Sequence, residues 1–284
     1  MSDALIRVEG VTFSYRPEDP TAPPALKDIS LTIARGEYVA IIGHNGSGKS
    51  TLARHLNALL VPTRGDVWVG PWNTRDAHSR RDVRRTVGMV FQVPDNQIVA
   101  TTVEDDVAFG PENLGVPEEE LAVRVREALE TVGLWEERRR PPHQLSAGQK
   151  QRLAIAGVIA MRPECLVMDE ATSLLDPQGR ADLLATLRRL RAAGTTIVAI
   201  THHMAEATEA DRVIILEAGR IALEGTPREV FARAEALERL GLDVPPVSAL
   251  ANALHRRRPD FPAGLLTVSE LANAVAERWT EAMP

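Results

Sequence analysis

The chain has 284 residues, 44% hydrophobic and 25% charged, a composition that suits one large soluble domain with a small appendage. A net charge of −6, from 33 Lys and Arg against 39 Asp and Glu, gives no sign of a surface given over to nucleic-acid phosphates. No stretch reaches the roughly 18 to 20 apolar residues of a membrane span, and the opening MSDALIRVEG lacks a signal-peptide apolar region, so the chain is expected to stay in the cytoplasm.

Alternating apolar residues predict a strand over Leu5 to Phe13, a second through Ile29, Leu31 and Ile33, and a short buried third over Tyr38 to Ile42. The third runs straight into glycines. Ser50 to Leu60 then has helical spacing, with Leu52, Leu56, Leu59 and Leu60 on one side and Pro62 to end it. The arginines at 80, 81, 84 and 85, like those at 138 to 140 and 256 to 258, read as solvated faces. VGMVF, ending at Phe91, reads as a strand. Thr101 to Arg140 carries acidic and leucine-bearing segments without a convincing strand and is expected to form a helical subdomain, within about 93–160. Leu166 to Met168, Thr196 to Ile200 and Val213 to Leu216 are short apolar runs separated by helical segments at Pro177 to Leu190 and Met204 to Ala210, an alternation that builds a parallel α/β sheet. The single cysteine, Cys165, opens one of those runs and reads as a buried core residue; one thiol cannot form an intramolecular disulfide. Past about Ala234, prolines break the chain into short helices at Ser248 to His255 and Ser269 to Trp279, a C-terminal appendage. No internal repeat is present.

Three motifs carry chemistry. GHNGSGKST, comprising Gly43, His44, Asn45, Gly46, Ser47, Gly48, Lys49, Ser50 and Thr51, matches the phosphate-loop pattern in full, with the strand before it and the helix after it that the pattern requires. Glycines let successive N–H groups turn toward phosphates, and the positive end of the helix adds to the attraction. Lys49 would neutralise the β- and γ-phosphates of ATP, and Ser50 would offer its hydroxyl to Mg²⁺. The chain has three lysines, Lys27, Lys49 and Lys150, so a match by composition alone is remote. In CLVMDEATS an apolar strand ends in two acids: Asp169 can bind Mg²⁺, and Glu170 can act as general base on the attacking water. The third motif is LSAGQKQR, Leu145 to Arg152, running into a helical segment.

With this third motif the chain resembles the ATP-binding-cassette (ABC) ATPases, whose LSGGQ signature presents a serine and a glycine at a helix start to ATP held by the other subunit. Ser146 and Gly148 match; Ala147 replaces the first glycine and tolerates helical but not left-handed backbone angles. The resemblance implies a P-loop α/β fold with a RecA-like core, an antiparallel β subdomain, a helical signature subdomain and here a helical C-terminal extension. It further implies that Tyr15 stacks on adenine, that Gln92 senses Mg²⁺ and faces the transporter, that Ser173 to Asp176 touches the opposite subunit, and that His202 contacts the γ-phosphate. His203, where the family usually carries an acid, is assigned no role. The ABC domain is expected over 1–233 and the extension over 234–284.

Within the superfamily, Pro94 to Val116 and the segment LGLDVPPVSAL resemble the ATPase subunits of energy-coupling-factor (ECF) transporters, which import vitamins and transition-metal ions. That resemblance implies two ATPase subunits, identical or related, beneath a transmembrane T component and a substrate-binding S component, at the cytoplasmic face of the cell membrane. Asp95, Asn96 and Gln97 would border the groove that takes a coupling helix, and the extension would hold the two chains together when the nucleotide sites open. Two other readings are weighed. A soluble ABC ATPase acting on nucleic acid or ribosomes usually carries two cassettes or a long coiled-coil insert, and this chain has neither. A non-hydrolysing regulator would lack the base or the lysine, and both Glu170 and Lys49 are present.

Overall fold

The computed structural model describes residues 4–19 and 21–282, with side chains through residue 278. Strands β1 (Ala4–Phe13) and β2 (Leu26–Ala34) pair antiparallel, Val8 opposite Leu31, and alternate buried with exposed residues as a one-sided sheet must. In β3 (Tyr38–Ile42) every residue is buried. Tyr38, Ala40 and Ile42 join the core beneath the helices, whereas Val39 and Ile41 join the core against the antiparallel sheet. The phosphate loop follows, then α1 (Lys49–Leu56).

The helix is shorter than the apolar spacing predicts. Ala58 enters the left-handed region (φ 54°), and the N–H groups of Leu59 and Leu60 both turn back to the Arg54 carbonyl, ending α1 before Leu59, which is left exposed. The chain continues as β4 (Arg64–Val69) and β5 (Trp72–Asn73), which extend the antiparallel sheet to the order β2-β1-β4-β5. Neither strand is evident from the sequence: only Val67 and Val69 of β4 are buried, too short a pattern to register. Helix α2 (Arg80–Thr86) leads into β6 (Val87–Val90).

Three helices come next: α3 (Val103–Asn113), capped by the Thr102 hydroxyl, α4 (Glu118–Thr131), with three glutamates at its positive end, and α5 (Ala147–Ile159). They pack on one another around Val107, Val125, Leu129, Leu153 and Ile155. Then β7 (Cys165–Asp169), α6 (Pro177–Ala192), β8 (Thr196–Ile200), α7 (Met204–Ala207), β9 (Arg212–Glu217) and β10 (Arg220–Gly225) complete a six-stranded sheet of order β10-β9-β3-β8-β7-β6. Its pairings are parallel except at the β9–β10 edge. Helix α7 also ends before its predicted limit of Ala210, because Asp211 donates its N–H to Tyr38 and draws the chain into register with β3. The edge strand β10 has no fully buried residue and so leaves no apolar signature.

Helices α8 (Pro227–Ala232) and α9 (Ala234–Arg239) lead to α10 (Pro246–Arg257) and α11 (Val268–Ala282), the last two joined by a separate small core of Ala251, Phe261, Leu265 and Ala274. Cys165 is fully buried and its thiol pKa is pushed up by that burial, as its place in an apolar strand predicts.

Candidate nucleotide site

The loop between β3 and α1 is held open by glycine. Gly43 and Gly48 have φ of 154° and 105°, and a Cβ would meet the Leu216 carbonyl at 2.3 Å in the first case and the Ala25 carbonyl at 2.6 Å in the second. Lys49 is buried beneath the loop, where its Nζ donates to the carbonyls of Gly43 (2.7 Å) and His44 (2.8 Å). Burial lowers its pKa, and the carboxylates of Glu170 and Asp169 oppose that shift. His44, Asn45 and Gly46 form the exposed crown of the loop. Ser47 lies beneath them with a buried hydroxyl that has no hydrogen-bond partner, and Ser47 and Gly219 tie the loop to the β9–β10 turn through a 3.0 Å backbone bond.

Strand β7 delivers the acids. Ser50 donates its hydroxyl to Asp169 Oδ1 at 2.7 Å, so the first turn of α1 is clasped to the end of β7. The Asp169 carboxyl is pushed up by burial first, with the Ser50 hydrogen bond opposing it. Glu170 follows in a left-handed conformation (φ 52°) that non-glycine residues seldom adopt, its N–H bonded to the Ile200 carbonyl at 3.0 Å. That backbone turn swings its carboxylate toward two other segments. Gln92, just past β6, donates Nε2 to Glu170 Oε2 at 2.9 Å, and His202, just past β8, brings Nδ1 within 3.7 Å of the same oxygen. A carboxylate held in this way, with an exposed imidazole beside it, can take a proton from water.

Tyr15 is an exposed aromatic at the edge of the loop, its hydroxyl 3.1 Å from Thr51 Oγ1. Its ring meets Phe13 edge-on at 4.9 Å, and Phe13 in turn meets His55 at 4.7 Å. His55 carries no sequence motif and went unnoticed there; it is fully buried on α1 and donates Nδ1 to the Thr51 carbonyl at 2.7 Å, bracing the helix that carries Lys49 and Ser50.

Ser146 and Gly148 do not join this cluster within the chain. They line a separate depression with Leu174 and Asp176. Ser146 caps α5 in a reciprocal box with Gln149, and Ala147 opens the helix without a positive φ, so replacing the glycine of the signature leaves no backbone strain. The signature helix is bound to the segment after Gln92. Lys150 meets Asp95 at 2.6 Å, Gln151 donates to the Phe91 carbonyl at 3.3 Å, and Gln97 bridges the Phe91 N–H (3.2 Å) and the Ala154 carbonyl (3.3 Å).

Behind that segment lies a groove of about 620 Å³, floored by Met89, Phe91 and Phe109 and edged by Arg81, Arg84 and Arg85. Those three arginines are exposed, in keeping with the solvated face read from the sequence, and they also line the groove. Gln97 lines this groove, whereas Asp95 and Asn96 do not, Asp95 turning away to Lys150. Finally, His44 reaches out of the phosphate loop to donate Nε2 to the Leu240 carbonyl at 2.5 Å, beside Gly241, where a Cβ would crowd the imidazole at 2.8 Å.

A phosphate loop between parallel strand and helix, two acids at the end of β7, and glutamine and histidine arms converging on the second acid define an ATP-binding, ATP-hydrolysing cassette of the ABC type. The family model described as "ABC transporter" matches residues 26–173. The chain is 53% identical over 272 residues to the energy-coupling factor transporter ATP-binding protein EcfA1 of Caldanaerobacter subterraneus subsp. tengcongensis, covering 95% of this chain and 98% of that protein. It is 53% identical over 285 residues to EcfA1 of Symbiobacterium thermophilum, covering 99% of each. Among solved structures it resembles cbiO1 from Clostridium perfringens, described as part of the ABC transporter complex cbiONQ, with TM-score 0.75 and 37% identity over 88% of this chain and 99% of that one. It also resembles the dimeric ATP-binding cassette MJ0796 bound to ADP and Pi, with TM-score 0.71 and 31% identity over 78% and 98%. The chain belongs to the energy-coupling factor transporter ATP-binding proteins, within the ABC transporter family. Among the described residues no helix is long and apolar enough to cross a membrane.

Proposed function

We propose that this ATPase powers uptake of a micronutrient, a vitamin or a transition-metal ion, from the cytoplasmic face of the cell membrane through T and S membrane components. The observation that carries the catalytic half is the meeting of Lys49, Ser50, Asp169, Glu170, Gln92 and His202, from four separate segments, around one loop. In this reading the loop's N–H groups, the free Ser47 hydroxyl and Lys49 take the phosphates, Tyr15 takes the adenine, Glu170 is the base, and His202 and Gln92 hold the attacking side. Ser50, Asp169 and Gln92 offer the hydroxyl, carboxylate and amide oxygens that suit Mg²⁺ and would hold it, and the ion would neutralise phosphate charge.

Because Ser146 and Gly148 lie in a different depression from the loop, a second chain, identical or related, would complete each site, with Asp176 beside the signature at the same face. The apolar groove behind Gln92 has the size and lining for a helix of a T component. Residues 1–233 would form the ABC domain, with its helical subdomain near 93–160, and 234–284 an extension that keeps two chains associated. Purification of the tagged chain from detergent-solubilised membranes should recover an apolar membrane subunit in fixed ratio. Co-sedimentation with ribosomes, and no membrane partner, would overturn the transport reading.

A further inference from the structure

His202 stands on a turn whose shape is set from behind by a buried polar chain. Thr201, the residue after β8, is 2% exposed and donates its hydroxyl to Glu206 Oε2 at 2.7 Å, and the same hydroxyl accepts the N–H of His203 at 2.9 Å. Glu206 closes the turn by donating its own N–H to the His203 carbonyl at 3.0 Å. The backbone on either side of His202 is thus fixed by one hydroxyl and one carboxylate, both out of water.

The carboxylate is not there for packing alone. Glu206 is 4% exposed, and a buried charge is costly unless something of opposite sign faces it. Arg180, one turn into α6, faces it with Nε 3.6 Å from Glu206 Oε1. Neither atom has a hydrogen-bond partner, and both are buried. The pair is therefore opposed but not yet joined: the gap must shorten by roughly 0.5–0.9 Å to become a hydrogen bond. Arg180 is rooted at the loop Ser173 to Asp176. Its N–H bonds the Asp176 carbonyl at 2.9 Å, and the Asp176 carboxylate caps the same helix through Gly179 at 2.7 Å. A path runs from Asp176, beside the signature serine, through Arg180, Glu206 and Thr201 to the turn that holds His202 near Glu170, open at the 3.6 Å gap between Arg180 and Glu206.

We propose that Glu206 and Arg180 are positioning residues for hydrolysis. Glu206, through Thr201, sets the placement of His202. Arg180 makes that placement answer to the position of the Ser173–Asp176 loop, so that arrival of a second chain at that loop tightens the histidine turn. The inference rests on the site assignment proposed above for Glu170 and His202.

The test uses the full-length chain, measuring steady-state kcat and KM for MgATP, melting temperature, and ATP-dependent dimer formation by light scattering. Arg180→Gln, at a partly exposed side chain, is the variant least exposed to folding failure. It should lower kcat between ten- and a hundredfold, the range expected when a catalytic group is misplaced by up to ~1 Å, with KM within about twofold and dimers still formed, since nothing on the phosphate loop is touched. Arg180→Lys should recover part of the loss. Thr201→Val should show the same kcat-selective defect and Thr201→Ser should relieve it. Wild-type kcat in Arg180→Gln, a KM that rises in step with any fall in kcat, or Thr201→Ser as impaired as Thr201→Val would each overturn the proposal. Glu170→Gln is run alongside: retained turnover there would indict the site assignment, whereas loss there with an unaffected Arg180→Gln would sink this inference alone.

Discussion

Replacing Glu170 by glutamine isolates the base from everything else the residue does. The carboxamide has the same shape and keeps an oxygen for the Gln92 amide now bonded at 2.9 Å. The left-handed backbone (φ 52°) is no harder for glutamine than for glutamate. Charge also favours a folded variant, since Glu170 contributes to the raised pKa of Asp169 and its removal eases that repulsion. Stability should therefore stay within ~0.5 kcal/mol of the parent, and any loss of turnover belongs to chemistry. General-base catalysis contributes on the order of 10²- to 10⁴-fold, so the barrier should rise by ~2.7–5.4 kcal/mol. Phosphate release at saturating MgATP measures it, with light scattering to detect the ATP-bound pairs that should accumulate when cleavage stops. A kcat within about threefold of the parent would show that water is activated by some other group.

Lys49→Ala removes a buried cation and its two carbonyl contacts; ATP affinity by direct titration should fall roughly 10- to 150-fold, corresponding to ~1.5–3 kcal/mol for a charge-assisted contact, and unchanged affinity would refute its role. Burial lowers the pKa of His55 below the ordinary imidazole value. The unfolded chain then takes up the proton first, so stability is full above pH ~6.5 and declines as pH falls through the window below it. His55→Gln should flatten that decline in melting temperature between about pH 7 and 5, and an unaltered slope would exclude His55 as its source. At Gly88 on β6 a Cβ would lie 2.3 Å from Val158 Cγ1 on the signature helix and 3.2 Å from Pro163. Gly88→Ala should accordingly cost about 1–3 kcal/mol through overpacking, visible as a lower thermal midpoint; an unchanged midpoint would mean that α5 gives way freely.

The nucleotide loop was legible in the sequence because its requirements fix residue identity at set spacings: glycines where carbonyls crowd the chain, one lysine among very few, and acids at the end of an apolar strand. Strand β3 was equally plain, since a strand buried on both faces leaves an uninterrupted apolar run. The ends of α1 and α7 were not, because they are set by Arg54 gathering two later N–H groups and by pairing of Asp211 with β3, contacts that spacing does not encode. The β4 and β10 strands escaped notice because few of their residues face a core. Thr201 and Glu206 share one turn but Arg180 lies on a separate helix, and only the fold brings its guanidinium to the buried carboxylate. Likewise, helical backbone at Ala147 had to be seen at the start of α5 before the altered signature could be judged unstrained.

Cys165, the chain's sole thiol, is sealed inside the central sheet with its ionisation suppressed. Maleimides and spin labels react with accessible thiolates, so the parent protein is silent toward them without any mutation of its interior. A single cysteine placed at an exposed position such as Asp95 would be the one reactive handle per molecule. Two such handles in an assembled pair would report separations between chains, nucleotide by nucleotide, with no background to subtract.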